Sequence, residues 1–332
     1  MRHAASGGVC IKPPINRRGN KTCLLDTLLP LIPKHLAGFC EVFGGSGALT
    51  FSMPVIGREK EIYNDFDQDL VNFMLVLRER PFALLFELYQ WPMNSHAEFD
   101  IIKHCFYPKT IRSLQDREDA RRYGEATLQG NYTDDELARC KGILCEEDYH
   151  EIKEILQGRA ALYDVKRAAA FFKLMRYSYG SSGTSYGGQF IDITRFCREL
   201  TWCSRRLRKV VIQNLDFERL IAQYDADTMF FYCDPPYHTT EDVYAVAFPE
   251  CDHLRLRDTL QKIKGRCMIS YNDDSFIRAL YAIPGFWTIP VERPNSLSSQ
   301  KDAVFKELII LNYDPASVLD VPKQLSWEEM YE

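Results

Sequence analysis

The sequence predicts an α/β fold: a seven-stranded mixed sheet, largely parallel, with helices on both faces and one mainly helical insert. Three observations predict it. Short apolar runs alternate with helical stretches in the first and last thirds of the chain. A glycine-rich turn follows the first of those runs. Between about residues 91 and 201 the alternation stops. Residues 1–90 and 202–332 are therefore expected to form the sheet-bearing domain, with residues 91–201 inserted into it. A chain of 332 residues, 46% of them hydrophobic, can bury a core of that size.

The first helix is expected to start at Thr22, a good cap, to carry Leu24, Leu25, Leu28 and Leu29, and to end at Pro30 and Pro33. A strand follows over Phe39–Val42, then the turn Phe43-Gly44-Gly45-Ser46-Gly47 and a helix from near Ala48. The second strand is Glu61–Asn64, followed by helices over Asp67–Arg80 and Pro81–Gln90. In the insert, helices are expected over Asp134–Leu156 and Ala160–Tyr177, before a loop rich in Gly, Ser and Tyr over Ser178–Gly188. The alternation resumes with strands at Lys209–Gln213, Thr228–Cys233, Arg266–Ser270, Trp287–Val291 and Glu307–Asn312. Helices fill the gaps at Asp252–Lys264 and Asp274–Leu280.

Composition narrows the function. The eleven cysteines include no C-x-x-C pair; the closest are Cys140 with Cys145 and Cys197 with Cys203. Metal-ligating cysteines come in tighter pairs, so reduced, buried thiols and no metal are expected. Met1 to Pro14 lacks a signal-peptide core, and no run approaches the ~18 apolar residues of a membrane span. A cytoplasmic chain without membrane contact is expected. The net charge is −5, yet from Lys166 to Asp216 ten basic residues face three acids. One basic stripe on an acidic body suits a protein that meets a polyanion on one side; a solvated helix face gives the same count.

The strongest motif is Asp234-Pro235-Pro236-Tyr237, directly after the apolar run Met229–Cys233. That is the carboxyl end of a strand, where open α/β sheets hold ligands. Two prolines fix φ and remove two donors, which leaves a stiff corner rich in acceptors. Such a corner suits an amine like that of adenine. Asp234 takes one amine hydrogen and the Pro235 carbonyl the other, so the nitrogen becomes a better nucleophile toward a methyl group. Tyr237 supplies a stacking face worth ~1–3 kcal/mol. A base in such a pocket must first leave its duplex. Alternatively the tetrapeptide only ends a strand. His238 is expected to line a loop running to Phe248 rather than to act as a base.

Four further segments converge on one ligand. In Glu41-Val42-Phe43-Gly44-Gly45-Ser46-Gly47, glycines allow close backbone approach and the following helix start offers free N–H groups. The spacing is not G-x-G-x-x-G and no Walker lysine follows, which favours a ligand smaller than a dinucleotide. Asp65, ending the second strand, can accept from ribose hydroxyls or cap a helix, although Asp67 is the better cap. Asp216 and Phe217 can bracket a purine, or cap and anchor a short helix. Arg17 and Lys21 flank the turn Arg18-Gly19-Asn20, where a cation can meet a carboxylate.

Taken together these segments resemble the Dam-like DNA adenine methyltransferases, with motifs in the order of the alpha group, from about Lys12 to Asp314. The resemblance implies a class I, Rossmann-like methyltransferase fold that uses S-adenosylmethionine and no metal, with a target-recognition domain over residues 91–201. It implies cofactor contacts from Lys21, Glu41, Phe43, Gly44, Gly45, Gly47, Asp65 and Asp234, and catalysis by Asp234, Pro235, Pro236 and Tyr237; Arg17, Asp216 and Phe217 are expected to join the cofactor contacts from the reading of the residues themselves. It implies double-stranded DNA as the partner of a monomer or weak dimer bound to the nucleoid. DNA contacts are expected from Arg176, Tyr177, Ser178, Tyr179, Tyr186, Arg195, Arg198, Arg205 and Arg206. The family's Trp-Ala-Gly-Gly-Lys reads Arg17-Arg18-Gly19-Asn20-Lys21 here, and its Asn-Gly-x-x-Arg-x-Asn stretch is replaced by residues 176–188. Recognition of GATC is therefore not implied. The competing functions are methylation of cytosine N4, RNA adenine or a protein glutamine, and a catalytically silent DNA-binding module.

Overall fold

The structure is a computed structural model that describes residues 11–319, apart from residues 18, 20, 35, 54–58, 91–94, 108–145, 147–149, 151–164, 189–192, 239–247 and 295–303. Of the helix expected over 134–156 only Glu146 and His150 are described, both helical; the Cys140–Cys145 pair lies outside the described residues, as does most of the loop after His238. Seven strands form one sheet: β1 (Gly38–Glu41), β2 (Lys60–Asn64), β3 (Val210–Gln213), β4 (Met229–Cys233), β5 (Arg266–Asn272), β6 (Trp287–Pro294) and β7 (Val304–Leu311). Their order is β3-β2-β1-β4-β5-β7-β6, and β7 runs antiparallel to both β5 and β6. All seven fall on the runs expected from sequence.

Ten α-helices pack around the sheet among the described residues: α1 (Leu25–Leu31), α2 (Ala48–Ser52), α3 (Gln68–Glu79), α4 (Pro81–Gln90), α5 (His96–Phe106), α6 (Val165–Tyr177), α7 (Ile193–Leu207), α8 (Phe217–Tyr224), α9 (Glu250–Leu260) and α10 (Ser275–Tyr281). Pro30 lies inside α1 rather than ending it, one residue before the helix stops. A proline that late removes one N–H from a helix already closing. Asp67 caps α3, accepting from the Asp69 and Leu70 N–H groups. Asp216 caps α8 and Asp274 caps α10 in the same way. Among the described residues no helix is long and apolar enough to cross a membrane.

Strand alternation sorts the core. Phe39, Phe230, Tyr232 and Met268 pack with α1 and α2 on one face. Cys40, Phe231, Cys233 and Ile269 pack with α8, α9 and α10 on the other. A third cluster joins Tyr63 and Val210 to α3, α4, α6 and α7. The insert therefore does not stand apart: Phe171, Phe172 and Leu200 share one core with Phe73, Leu84 and Cys203. Helix α7 also runs through the boundary expected at 201/202. Its apolar side, Phe196, Leu200, Cys203 and Leu207, continues the sheet domain's core, so no linker forms there.

Candidate active site

β1 and β4 lie side by side at the centre and run parallel. The chain leaves β1 for β2 on one side, while β4 leads to β5 on the other. Carboxyl ends at such a reversal bound a crevice. Here the crevice is a cavity of about 370 Å³. Asp234 and Pro236 line it together with Phe43, Gly44, Gly45 and Ser46 of the turn. Two motifs almost two hundred residues apart in sequence thus face one space.

At the Asp234–Tyr237 corner, Asp234 faces the α1 side of the sheet. The Lys21 ammonium lies 2.7 Å from Asp234 Oδ1 and donates to Oδ2 at 2.9 Å. It also donates to the Gly19 carbonyl and sits 4.7 Å from the centre of the Tyr237 ring. The Ser270 hydroxyl donates to Asp234 Oδ1 at 2.9 Å. Burial pushes the Asp234 carboxyl above its ordinary range, while Lys21 and Ser270 pull it back. The Tyr237 hydroxyl donates to Glu307 at 3.4 Å, which anchors the ring's far edge. His238 stacks on Phe276 and contacts Asp274 and Glu250 through its two ring nitrogens, so it ties α9 to α10.

The glycine turn is shaped by β2. A side chain on Gly44 would start 2.2 Å from the Tyr63 ring, and the Tyr63 hydroxyl donates to the Gly45 carbonyl. Gly47 has φ +76°, a left-handed conformation that favours glycine. Asp65 accepts from Gly45 N–H at 2.8 Å and from Asp67 N–H at 2.8 Å, and still lines the cavity. Burial raises its pKa while Arg17 opposes the rise. Arg17 itself pairs with Asp67 at 3.0 Å.

Glu41 lines the cavity, and it also anchors the helix that follows the turn. Its carboxylate accepts from the Leu49 and Thr50 N–H groups and from the Thr50 hydroxyl, which fixes the start of α2. Burial pushes its pKa up to about 7. At the start of the turn, the ring of Phe43 meets those of Phe217 and Phe248, and the three stand 5.6–5.8 Å apart. Asp216 sits beside them, held at 3.1 Å by Arg255, which lies over Phe217.

Sequence reasoning missed Ser270, Arg255 and Asn64. Asn64 donates to the Val42 and Leu215 carbonyls and accepts from Leu215 N–H, which ties three strand ends together. Its place beside Asp65 at a strand end was the available signal.

The residues expected to meet DNA divide. Tyr179 is 73% exposed at the tip of its loop, and Arg195, Arg198 and Arg205 are exposed on α7. Tyr186 is half-buried and stacks on His96. Four expectations need correction. Tyr177 is core, and the Ser178 hydroxyl is consumed inside the loop by the Met175 carbonyl and Gly183 N–H. Arg176 donates to the Pro14 carbonyl and lies over the Phe196 ring, so it pins the N-terminal segment. Arg206 is buried against Glu61 at 2.6 Å. Because Glu61 stands near the start of β2, that end of α7, Arg205 included, lies at the opposite end of the sheet from the cavity.

A family description matches residues 18–293: D12 class N6 adenine-specific DNA methyltransferase. The chain belongs to this D12 class. Its fold is that of a class I methyltransferase, and the class acts on the N6 amine of adenine in DNA. Methyltransferases of this kind generally draw the methyl group from S-adenosylmethionine. Among curated relatives, the type II methyltransferase M1.LlaDCHI of Lactococcus lactis subsp. cremoris is 22% identical over 323 residues, which cover 91% of this chain and 96% of that protein. The D12 match spans both sheet halves and the insert between them.

Proposed function

We propose that this chain transfers a methyl group from S-adenosylmethionine directly to the N6 amine of an adenine that has swung out of double-stranded DNA. One observation carries the reading: the Asp234 carboxylate and the glycine turn line the same cavity.

The lining fits S-adenosylmethionine by its chemistry. Among the described residues, and apart from its chain neighbours, no atom lies within 4 Å of where a side chain on Gly45 would begin, so its bare backbone meets open space. Asp65 keeps lone pairs for ribose hydroxyls. Arg17 and Lys21 bring two cations for a carboxylate, and Phe43 and Phe217 offer flat faces to a purine beside Asp216. Glu41 contributes at one remove, through α2. When bound, the cofactor supplies an electrophilic methyl group.

The chain's own residues do the rest. Asp234 and the Pro235 carbonyl accept the two amine hydrogens, Pro236 stiffens the corner, and Tyr237 stacks on the base. Positioning of this kind supplies much of the rate in a direct transfer. His238, held by Asp274 and Glu250, is not needed as a base, because the methylated amine can lose its proton to solvent. Arg195, Arg198 and Tyr179 meet the duplex, the arginines on phosphates. The relative in Lactococcus is named a type II methyltransferase, and we extend methylation at a fixed sequence to this chain.

Methylation-sensitive long-read sequencing tests the reading in cells expressing this chain or its Asp234→Ala variant. N6-methyladenine should recur within one sequence in the first and be absent in the second. N4-methylcytosine, or methyladenine confined to RNA, would name another acceptor. No modification, together with no heat of S-adenosylmethionine binding, would leave a silent DNA-binding module.

A further inference from the structure

Asp234 is gripped from behind as well as by Lys21. Ser270 stands on β5, beside β4, and its hydroxyl donates to Asp234 Oδ1 at 2.9 Å. The Tyr232 hydroxyl lies 2.8 Å from Ser270 Oγ. Strand alternation places Tyr232, Asp234 and Ser270 on one face, and both hydroxyl-bearing residues are buried. A serine hydroxyl has one proton, and a carboxylate can only accept. The Ser270 proton is therefore committed to Asp234, and the Tyr232 proton must make the contact with Ser270. The chain of donors runs one way, from Tyr232 through Ser270 to Oδ1, and each bond polarises the next.

We propose that Tyr232 and Ser270 are positioning residues for methyl transfer, which hold Asp234 by Oδ1 so that Oδ2 is the oxygen presented to the target amine. The proposal rests on the reading of Asp234 as the acceptor of an amine hydrogen. Lys21 reaches both oxygens from the cavity side, whereas Ser270 touches Oδ1 alone. Without the relay the carboxylate is free to rotate about its last bond, and the acceptor no longer points one way. The relay also favours the ionised acid, against burial and the nearby Glu307. The other groups that feel the Asp234 charge are Lys21, Glu41, Cys233, Tyr271 and Tyr232 itself.

Steady-state and single-turnover methylation of a duplex carrying the sequenced target, measured against pH, tests this. Ser270→Ala should lower kcat at least about tenfold, the scale of losing one preorganised donor, with cofactor affinity by calorimetry within about threefold of the parent. Its acid limb should move to higher pH. Tyr232→Phe should do the same more weakly, about threefold to fivefold. On a Ser270→Ala background, Tyr232→Phe should change kcat by less than about twofold, since it acts only through the serine. A parental kcat and acid limb in Ser270→Ala overturns the proposal. So does a Tyr232→Phe effect of equal size with and without Ser270. If Ser270→Ala does not fold, Tyr232→Phe decides alone, and parental behaviour there sinks the relay. Asp234→Ala separates the two levels: if it stays active, the reading of Asp234 fails, and if it is dead while both hydroxyl variants are normal, only the relay fails.

Discussion

Two ion pairs of nearly equal length lie inside this molecule, Lys21–Asp234 at 2.7 Å and Arg206–Glu61 at 2.6 Å. They differ in what lies beyond the charges. Arg206 and Glu61 are 3% and 5% exposed and sealed at the strand-start end of the sheet. Asp234 is 19% exposed, opens onto the cavity, and shares its oxygens with Ser270. A buried pair is thus not a functional signal in itself. Its position at the reversal of strand order, and an oxygen that a ligand can reach, make the difference.

The sharpest contrast comes from cutting each pair. Asp234→Ala should lose methyl transfer by at least about a thousandfold in a radiolabel assay, on the scale of removing a preorganised electrostatic group, and change the unfolding midpoint only slightly. Arg206→Met should do the opposite. It takes the charged partner at 2.6 Å from a buried carboxylate and should cost about 3–5 kcal/mol in denaturant titration, while kcat of the folded fraction stays parental. Pairing it with Glu61→Leu should recover most of that loss. A large drop in kcat for Arg206→Met alone would break the comparison.

Smaller effects sharpen it. Gly47→Ala forces a side chain into a left-handed site 2.8 Å from the Phe51 ring. It should cost about 1–3 kcal/mol and weaken S-adenosylmethionine binding by about tenfold or more in calorimetry. Lys21→Met bears on pH. Burial raises the Asp234 pKa and Lys21 lowers it. Without the lysine the carboxylate protonates at higher pH, and in the proposed transfer the acid acts in its ionised form. The acid limb of the rate profile should therefore shift upward, and an unmoved limb would show that Lys21 serves only the cofactor. The smallest effect concerns DNA. Arg195→Ala and Arg198→Ala should each lower the slope of log affinity against log salt by about 1, whereas Arg205→Ala, at the far end of α7, should leave it unchanged.

The sheet was legible in the sequence because its strands are short runs bounded by turn residues, and burial of both faces leaves no other reading for Met229–Cys233, whereas Val210–Gln213 lies at the sheet edge with Val211 exposed. The cavity's two walls were legible for the same reason: glycines and prolines constrain backbone locally. What was not legible depends on direction. Glu41 reads in sequence as a ligand contact, and it lines the cavity, but the bonds its carboxylate makes to α2 were not foreseen. Arg206 looked like one more member of a basic stripe. It sits three residues after Cys203, on the apolar side of α7, and a helical wheel would have flagged it. Ser270 carried no local signal, since only the pairing of β4 with β5 brings it to Asp234. Helix α5 was missed because its apolar side is narrow and its neighbours come from distant sequence.

The shared core of α3, α4, α6 and α7 bears on how specificity can be re-engineered. Swapping recognition inserts between relatives is attractive when they are detachable cassettes. Here a splice at 201/202 would sever a helix and take Phe171, Phe172 and Leu200 from the wall that supports β2 and β3. Chimeras that keep α6 and α7 native, and exchange only what lies between α5 and α6 together with the Ser178–Gly188 loop, are the ones that should stay folded.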